Sequence, residues 1–337
     1  MMPEKAADST ESEDDTALWE ECMNINYGME IVRATEIAAL TAARIQGLGN
    51  HDDILNQARS AIRKTLNRLM ISGRVVNDRF SGRSEICRLP DRLGEGGPDM
   101  DLMVVALEAH HAAADGRNNA TSYTVIVEDG SIQSVPNLHM YKIVVGPQVG
   151  EVIDINQSPT ANVKRVARVL RKYTENVTVC ILNRKRHRNL INEVRSCGAR
   201  IKLIEEGEIS GCLAAITGEK ADIYMGYGFA PEGTVVAAAI SCLGGYLEGK
   251  IAYESAEDKE QAQQHGIHDF EKVFRVEDLI DSRKISFAAT GVTDGEFLEG
   301  VRFTATGAVT NSFIARSETR TFRNLTTRHF FDYNPVF

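Results

Sequence analysis

This 337-residue sequence lacks several features that define common protein classes. It has no run of 18 apolar residues, so no membrane-spanning helix is expected. Its six cysteines show no CxxC or zinc-finger spacing, which predicts reduced, buried thiols rather than a disulfide framework or a zinc site. Because 38 Lys and Arg face 47 Asp and Glu, the net charge of −9 argues against nucleic acid as a partner.

The beginning of the chain lacks the basic start and apolar core of a secretory signal. Residues 1–20 carry seven acidic side chains and one lysine, a net charge of −6 that leaves the rest of the chain at −3. We therefore expect an acidic, disordered tail over residues 1–25. Together with the cysteine pattern, this predicts a reducing, intracellular location, cytoplasm or plastid stroma, and no secretion.

What the sequence does contain is the composition of a globular protein, with 43% hydrophobic and 25% charged residues. Apolar residues at three- and four-residue steps predict helices over about 29–47 and 52–69. Strands are predicted at 74–76 and 101–107. The alternating segment 122–131 ends in a hairpin signal, Asp-Gly, before a further strand.

The second half of the chain alternates strands with helices. Ser158 and Pro159 form an N-cap and first-turn proline, and strands follow at 178–182, 200–204 and 222–226. This alternation predicts βαβ units and a parallel sheet. We expect two α/β lobes, 26–150 and 151–337, with ligands bound at strand ends in the cleft between them.

Three short motifs suggest chemistry. The basic run from Arg184 to His187 follows a strand and precedes a helix, a position that suits a phosphate, although a solvated turn is the commoner fate of such a run. Glu232 in GYGFAPEG could bind Mg²⁺, or it could simply stabilise the first turn of a helix. The pair His110-His111 invites a metal interpretation, but the spacing fits a polar pair at the end of an element better.

Five segments together resemble the GlpX-type class II fructose-1,6-bisphosphatases, relatives of the lithium-sensitive sugar phosphatases. They are VRATEIAALTAAR, MYKIVVGP, TVCILNRKRH, GYGFAPEG followed by TVVAAAI, and FAATGVTDGEFLEGV. The resemblance runs from about residue 26 to about residue 332. It implies a layered α-β-α-β-α sandwich, and hydrolysis of fructose 1,6-bisphosphate or sedoheptulose 1,7-bisphosphate with Mg²⁺ or Mn²⁺ held by converging carboxylates.

The sequence departs from the family pattern at the metal-binding acids. Asn50 stands where the family has an aspartate, and Arg79 and Ser81 face two family glutamates. Val105 replaces the aspartate that bridges the metals, whereas Glu108 and Glu232 remain as residual candidates. Valine supplies no ligand and arginine repels a cation, so the pattern predicts loss of a two-metal site.

The substrate side of the pattern survives better. The resemblance implies that sugar-phosphate binding is carried by six residues: His139, Arg184, Arg186, His187, Glu206 and Glu208. Our first hypothesis is therefore a catalytically degenerate pseudoenzyme that retains a sugar-phosphate pocket. Such a protein would need no metal cofactor and would have a regulatory or assembly role. It would associate with itself, with active paralogues or within a larger complex. The alternatives are an active bisphosphatase with displaced ligands and a bare scaffold.

Overall fold

The computed structural model describes residues 27–77 and 89–331, which build five layers: helices, sheet, helices, sheet, helices. This confirms the α-β-α-β-α sandwich expected from the resemblance. The acidic tail, Arg79, Ser81, Cys22 and Cys87 lie outside the described residues. Within the described part, none of the helices has the length and apolarity needed to cross a bilayer.

The first outer layer consists of α1 (Tyr27–Ala43) and α2 (His51–Leu66). Asn50 caps α2 by accepting a 3.2 Å hydrogen bond from the Asp53 amide at its side-chain oxygen. Ile54 and Ile62, separated by about two turns, are fully buried against the first sheet and α1. The apolar periodicity therefore predicted both helices correctly.

The first sheet has eight strands within the described residues, in the order β11-β12-β10-β4-β3-β1-β2, with β13 also paired to β12. The strands are β1 (Ser72–Asn77), β2 (Arg92–Leu93), β3 (Asp99–Glu108), β4 (Thr121–Glu128), β10 (Ser286–Gly291), β11 (Arg302–Thr304), β12 (Gly307–Arg316) and β13 (Thr321–Phe330). The helix α3 (His110–Ala114) follows β3 directly. The periodicity did not predict the long β12–β13 hairpin.

The second sheet has five strands in the order β7-β6-β8-β5-β9. They are β5 (His139–Val145), β6 (Thr178–Leu182), β7 (Arg200–Ile204), β8 (Ile223–Phe229) and β9 (Tyr246–Ile251). Only β7, β6 and β8 run parallel, because β5 pairs antiparallel with both β8 and β9. The predicted parallel sheet is therefore correct for these three strands and wrong for the other two.

The middle layer consists of α6 (Glu208–Thr217) and α7 (Ala230–Leu243), which pack between the two sheets. The far outer layer consists of α4 (Pro159–Leu170) and α5 (Arg188–Ser196). Ser158 caps α4 and Pro159 opens it, as the sequence predicted. The charged segment after β9 forms the helix α8 (Ala256–Gln264).

The sheets divide the chain differently from the predicted lobes 26–150 and 151–337. β5 already belongs to the second sheet, and the strands after residue 286 return to the first. The turn at Gly130 exists, with φ of +75°, but it does not join a hairpin, since β4 pairs with β3 and β10 instead. Hydrogen bonding between strands distant in sequence decided this, and local turn chemistry cannot reveal it.

The described cysteines agree with the expectation of reduced thiols. Cys180, Cys212 and Cys242 are buried and free, and Cys197 is half-buried and free. Burial raises the pKa of the Cys180 thiol to about 12, so it stays protonated and unreactive.

Candidate functional site

The candidate site lies where the N-termini of α6 and α7 meet β3, β5 and β8. Glu108, the last residue of β3, reaches from the first sheet to the start of α6. One of its carboxylate oxygens accepts a 2.7 Å bond from the Ile209 amide, and the other accepts a 3.1 Å bond from the Tyr123 hydroxyl. Glu108 therefore occupies the amides that α6 leaves unsatisfied at its N-terminus and links the two halves of the molecule.

The surroundings of Glu108 strongly perturb its ionisation. Burial, and secondarily the nearby charge of Glu208, raise its pKa to about 7, although the bonds from Ile209 and Tyr123 act in the opposite direction. The turn after Glu108 places Ala109 in the left-handed region at φ of 56°, where the family pattern has a glycine. The backbone of this corner therefore keeps the shape that a glycine would suit.

A buried ion pair stands beside Glu108. The ammonium group of Lys142, on β5, lies 2.7 Å from a carboxylate oxygen of Glu208 and also donates to the carbonyl oxygen of Phe229. Both side chains are almost inaccessible, at 1% and 8% exposure. Gly228 faces the Glu208 carboxylate so closely that a β-carbon could not fit. A lysine inside the apolar run MYKIVV was the sequence signal for this pair.

Glu206 is held by residues of the first half of the chain. Its carboxylate lies 2.9 Å from Arg117, which also pairs with Asp115 at 3.0 Å. Asp115 in turn contacts the ring of His51 at 2.7 Å. The chain of contacts from His51 to Glu206 connects the first residue of α2 with the loop before α6. Sequence reasoning missed Arg117 because nothing local marks it.

Aromatic rings gather on one face of β5 and β8. The ring of His139 stacks on Tyr227 and Phe229, with centroids 4.8 and 4.2 Å apart. The guanidinium of Arg186 lies 5.6 Å from the Tyr227 ring centroid, and its Nε donates to the Tyr227 carbonyl oxygen at 2.9 Å. The structure thus brings together two of the predicted substrate residues, His139 and Arg186, around Tyr227.

Both ring nitrogens of His187 contact backbone groups. Its Nδ1 lies 2.6 Å from the Leu182 carbonyl oxygen, and its Nε2 lies 2.9 Å from the Tyr227 amide. A carbonyl only accepts and an amide only donates, so the ring is neutral and carries its proton on Nδ1. Burial also lowers its pKa. His187 therefore fixes the turn after β6, whereas the half-buried Arg184 and exposed Arg186 stay at the surface.

The histidine pair joins a third ring at the first corner. His111 contacts both His110 and His51, with ring centroids 4.1 and 4.7 Å apart. Burial is the main reason that the pKa of His110 falls to about 4. The pair lies at the start of α3, in agreement with the expectation of a polar pair at the end of an element.

Comparisons with known proteins decide the family. The family model described as bacterial fructose-1,6-bisphosphatase, glpX-encoded, matches residues 25–329. The chain belongs to this family. A D-fructose 1,6-bisphosphatase class 2/sedoheptulose 1,7-bisphosphatase of a Synechococcus strain is 33% identical, over 92% of this chain and 97% of that protein. A protein of the same printed name from Gloeobacter violaceus is 32% identical, over 92% of this chain and 97% of that protein. One from Acaryochloris marina, whose printed name adds a final 2, is 33% identical, over 90% of this chain and 95% of that protein.

Members of the glpX-encoded family generally depend on divalent metal, and three of the positions compared with the family's acids have structural roles among the described residues. Val105 is 5% exposed, pairs with Tyr123 and packs in the apolar core between the sheets. Asn50 uses its side-chain oxygen to cap α2, and both Glu108 oxygens accept hydrogen bonds. Within residues 27–77 and 89–331, no three His, Cys, Asp or Glu side chains are grouped to hold a metal ion.

Proposed function

We propose that this glpX-family protein binds a sugar phosphate without the two-metal hydrolysis that its family pattern implies. The observation that carries the proposal is the carboxylate of Glu108. Its two oxygens are engaged by Ile209 and Tyr123, so it acts as a structural cap on α6 where the family pattern has a metal ligand. Val105 supports the same conclusion, because on the same strand it presents a buried valine where the family pattern has an aspartate.

The phosphate-binding capacity rests on the basic turn after β6. Arg184, Lys185 and Arg186 lie at the carboxyl end of that strand and directly before α5, an arrangement that suits a phosphate. The ring of His139 stands beside Arg186, across Tyr227, and offers a face for the sugar. Glu206 and Glu208 would have to leave Arg117 and Lys142 to reach sugar hydroxyls, so we assign the primary contact to the arginines.

Two measurements test this function. Fructose 1,6-bisphosphate should raise the melting temperature of the protein in the absence of any divalent metal, because a ligand that binds only the folded state stabilises it. Arg186→Ala should abolish the rise, whereas Arg195→Ala, at the other end of α5, should leave it intact. If the melting temperature of the native protein does not rise, the proposed sugar-phosphate binding is wrong, and the hypothesis of a scaffold without a ligand is favoured.

The alternative function is an active sugar bisphosphatase, and the full-length similarity to relatives of that printed name favours it. Purified protein with Mg²⁺ or Mn²⁺ should then release phosphate from fructose 1,6-bisphosphate or sedoheptulose 1,7-bisphosphate. If release occurs at an ordinary enzymatic rate and Glu232→Ala stops it, the proposal of a degenerate site is wrong. If calorimetry detects no divalent-ion binding, the alternative is wrong.

The proposed regulatory or assembly role requires association with another chain. β13 offers a surface for it, because within the described residues it pairs only with β12 and its other edge stays open. Phe322 and Phe330, both exposed, lie at the two ends of this strand. Light scattering on the full chain would show oligomers if copies associate, and a proline at an outward-facing amide of β13, which β12 does not use, should then dissociate them.

A further inference from the structure

A second cavity lies at the end of the middle helical layer opposite to the candidate site. Its volume of about 520 Å³ is within the range of small-molecule pockets. Its walls are the last residues of α6 and α7, the segment 297–299, and the β12–β13 hairpin. None of the residues predicted for the sugar-phosphate site lines it.

The electrostatic environment of this cavity is negative. α6 ends at Thr217 and α7 at Leu243, and both residues line the wall, so the negative ends of two helix dipoles point toward the cavity. Glu219 and Glu299 add two carboxylates. Neither forms an ion pair with a described residue, and no lysine or arginine is among the lining residues. These features exclude phosphates and other anions as ligands.

The remaining wall is mixed, with amide and hydroxyl side chains beside aromatic and aliphatic ones. The rings of Phe313 and Phe322 stack with centroids 5.7 Å apart, and Phe297 meets Phe313 edge-on at 5.0 Å. Phe322 is 59% exposed, so part of its ring remains free to contact a ligand. The faces of aromatic rings attract organic cations, and the aliphatic side chains of Leu243 and Leu298 suit an alkyl chain.

From these three observations, we infer that the cavity binds an organic dication of the alkyldiammonium class. Its ammonium groups pair with Glu219 and Glu299, and its alkyl chain lies along the phenylalanine rings. A hydrated metal ion suits the wall less well, because its water shell gains little from the three phenylalanine rings. The inference does not depend on the proposed sugar-phosphate function, since the two sites lie at opposite ends of α6 and α7.

Calorimetry with octane-1,8-diamine tests the inference directly. The probe is titrated into the full-length protein at pH 7 and constant ionic strength, and octane-1,8-diol serves as a neutral probe of the same length. We expect saturable binding of the diamine with one site per chain, and at least tenfold weaker binding of the diol. Equal binding of the two probes, or no binding of the diamine, would overturn the inference.

Matched variants distinguish this site from general attraction to an acidic protein. The double variant Glu219→Gln/Glu299→Gln should raise the Kd for the diamine at least tenfold. The control Glu175→Gln/Glu257→Gln removes the same charge from exposed positions elsewhere and should change the Kd less than twofold. An equal loss in both variants would mean that net charge alone attracts the diamine, which contradicts the proposed site.

A second variant keeps the test decisive if the double variant is poorly folded. Asn324 lies exposed on β13 and lines the cavity, so Asn324→Lys adds a positive charge there without burying it. We expect the added ammonium to abolish diamine binding while the circular dichroism spectrum stays unchanged. Undiminished binding to this variant would place the diamine elsewhere and overturn the inference.

Discussion

The two ends of the middle helical layer use the same residue type for opposite purposes. At the N-terminal end, both glutamates are buried: Glu108 accepts a hydrogen bond from an amide of α6, and Glu208 forms an ion pair with Lys142. At the C-terminal end, Glu219 and Glu299 are exposed beside the terminal carbonyls of α6 and α7. A glutamate thus stabilises the fold where the helix dipole is positive, and it is left to attract an external cation where the dipole is negative.

This contrast extends to the positions where the family pattern has acids. The acids that remain at the N-terminal end are those that the fold itself can use, since helix amides and a buried lysine provide partners for them. Asn50 and Val105, which stand where the family pattern has acids, serve here as a helix cap and a core residue.

The largest expected effect concerns the buried pair at the N-terminal end. Lys142→Met leaves the Glu208 charge buried without its partner, so we expect a loss of about 4 kcal/mol in the free energy of unfolding. Lys220→Met, just beyond the C-terminal end of α6, removes an exposed ammonium that donates to the Gly295 carbonyl, and should cost under ~0.5 kcal/mol. Urea denaturation measures both, and similar losses would break the contrast between the two ends.

The next effect is a pH dependence that belongs to Glu108. Its pKa rises from 4.5 in the unfolded chain to about 7 in the folded protein, so the folded state binds the extra proton between these values. The stability contributed by this carboxyl is therefore fully present below pH 4.5 and is lost as the pH rises through 7, by up to about 3 kcal/mol. Unfolding curves across this range measure it.

Glu108→Gln serves as the reference for that pH dependence. It retains the shape of the side chain without a titrating group. As the pH rises from 4.5 to 7, the free energy of unfolding of the native protein should therefore fall relative to that of the variant, by the amount expected of Glu108 alone. Glu299→Gln should preserve the native pH profile, because its exposed carboxylate lies far from this corner. If Glu108→Gln has the native profile, the burial of Glu108 does not control its ionisation.

A smaller effect on stability is expected from substitutions in the backbone turns at the two ends of the middle helical layer. Ala109 at the N-terminal end has φ of 56°, whereas Gly218 and Gly244 provide the positive φ values at the C-terminal end. Ala109→Gly should stabilise the protein by roughly 0.5–1 kcal/mol by removing left-handed strain. Gly218→Ala should destabilise it by about 1 kcal/mol, since the new β-carbon also meets Gln148. Thermal unfolding measures both changes in stability. A gain in both variants, or a loss in both, would contradict this interpretation.

The smallest effect is expected from neutralising the acids of the second cavity. Glu219→Gln/Glu299→Gln should change the free energy of unfolding by less than ~0.5 kcal/mol, because both carboxylates are exposed and unfavourably placed near helix C-termini. A slight gain in stability would agree with the proposed role in ligand binding. A loss above 2 kcal/mol, measured by urea denaturation without added amine, would make these acids structural and remove the distinction between the two ends.

Local patterns predicted most of the elements and one part of the site. The apolar periodicity gave α1 and α2, the Ser158-Pro159 pair gave the start of α4, and the basic run correctly placed Arg184 and Arg186 after β6. The two hydrogen bonds of His187 could not be predicted, because they go to Leu182 and Tyr227, and the second of these lies 40 residues away along the chain. Arg117 was missed for the same reason, since its partner Glu206 lies 89 residues further on.

The sequence by itself determined the family, the layered fold and the absence of acids at Asn50 and Val105, because these depend on residue identity and on short-range periodicity. Only the tertiary structure decided what the remaining carboxylates do. Glu108 and Glu208 owe their roles to helix amides and a lysine supplied by other segments. The strand β13 and the cavity beneath it likewise exist only through pairing with β12. Burial, dipoles and hydrogen bonds between distant residues set these properties, and no local pattern encodes them.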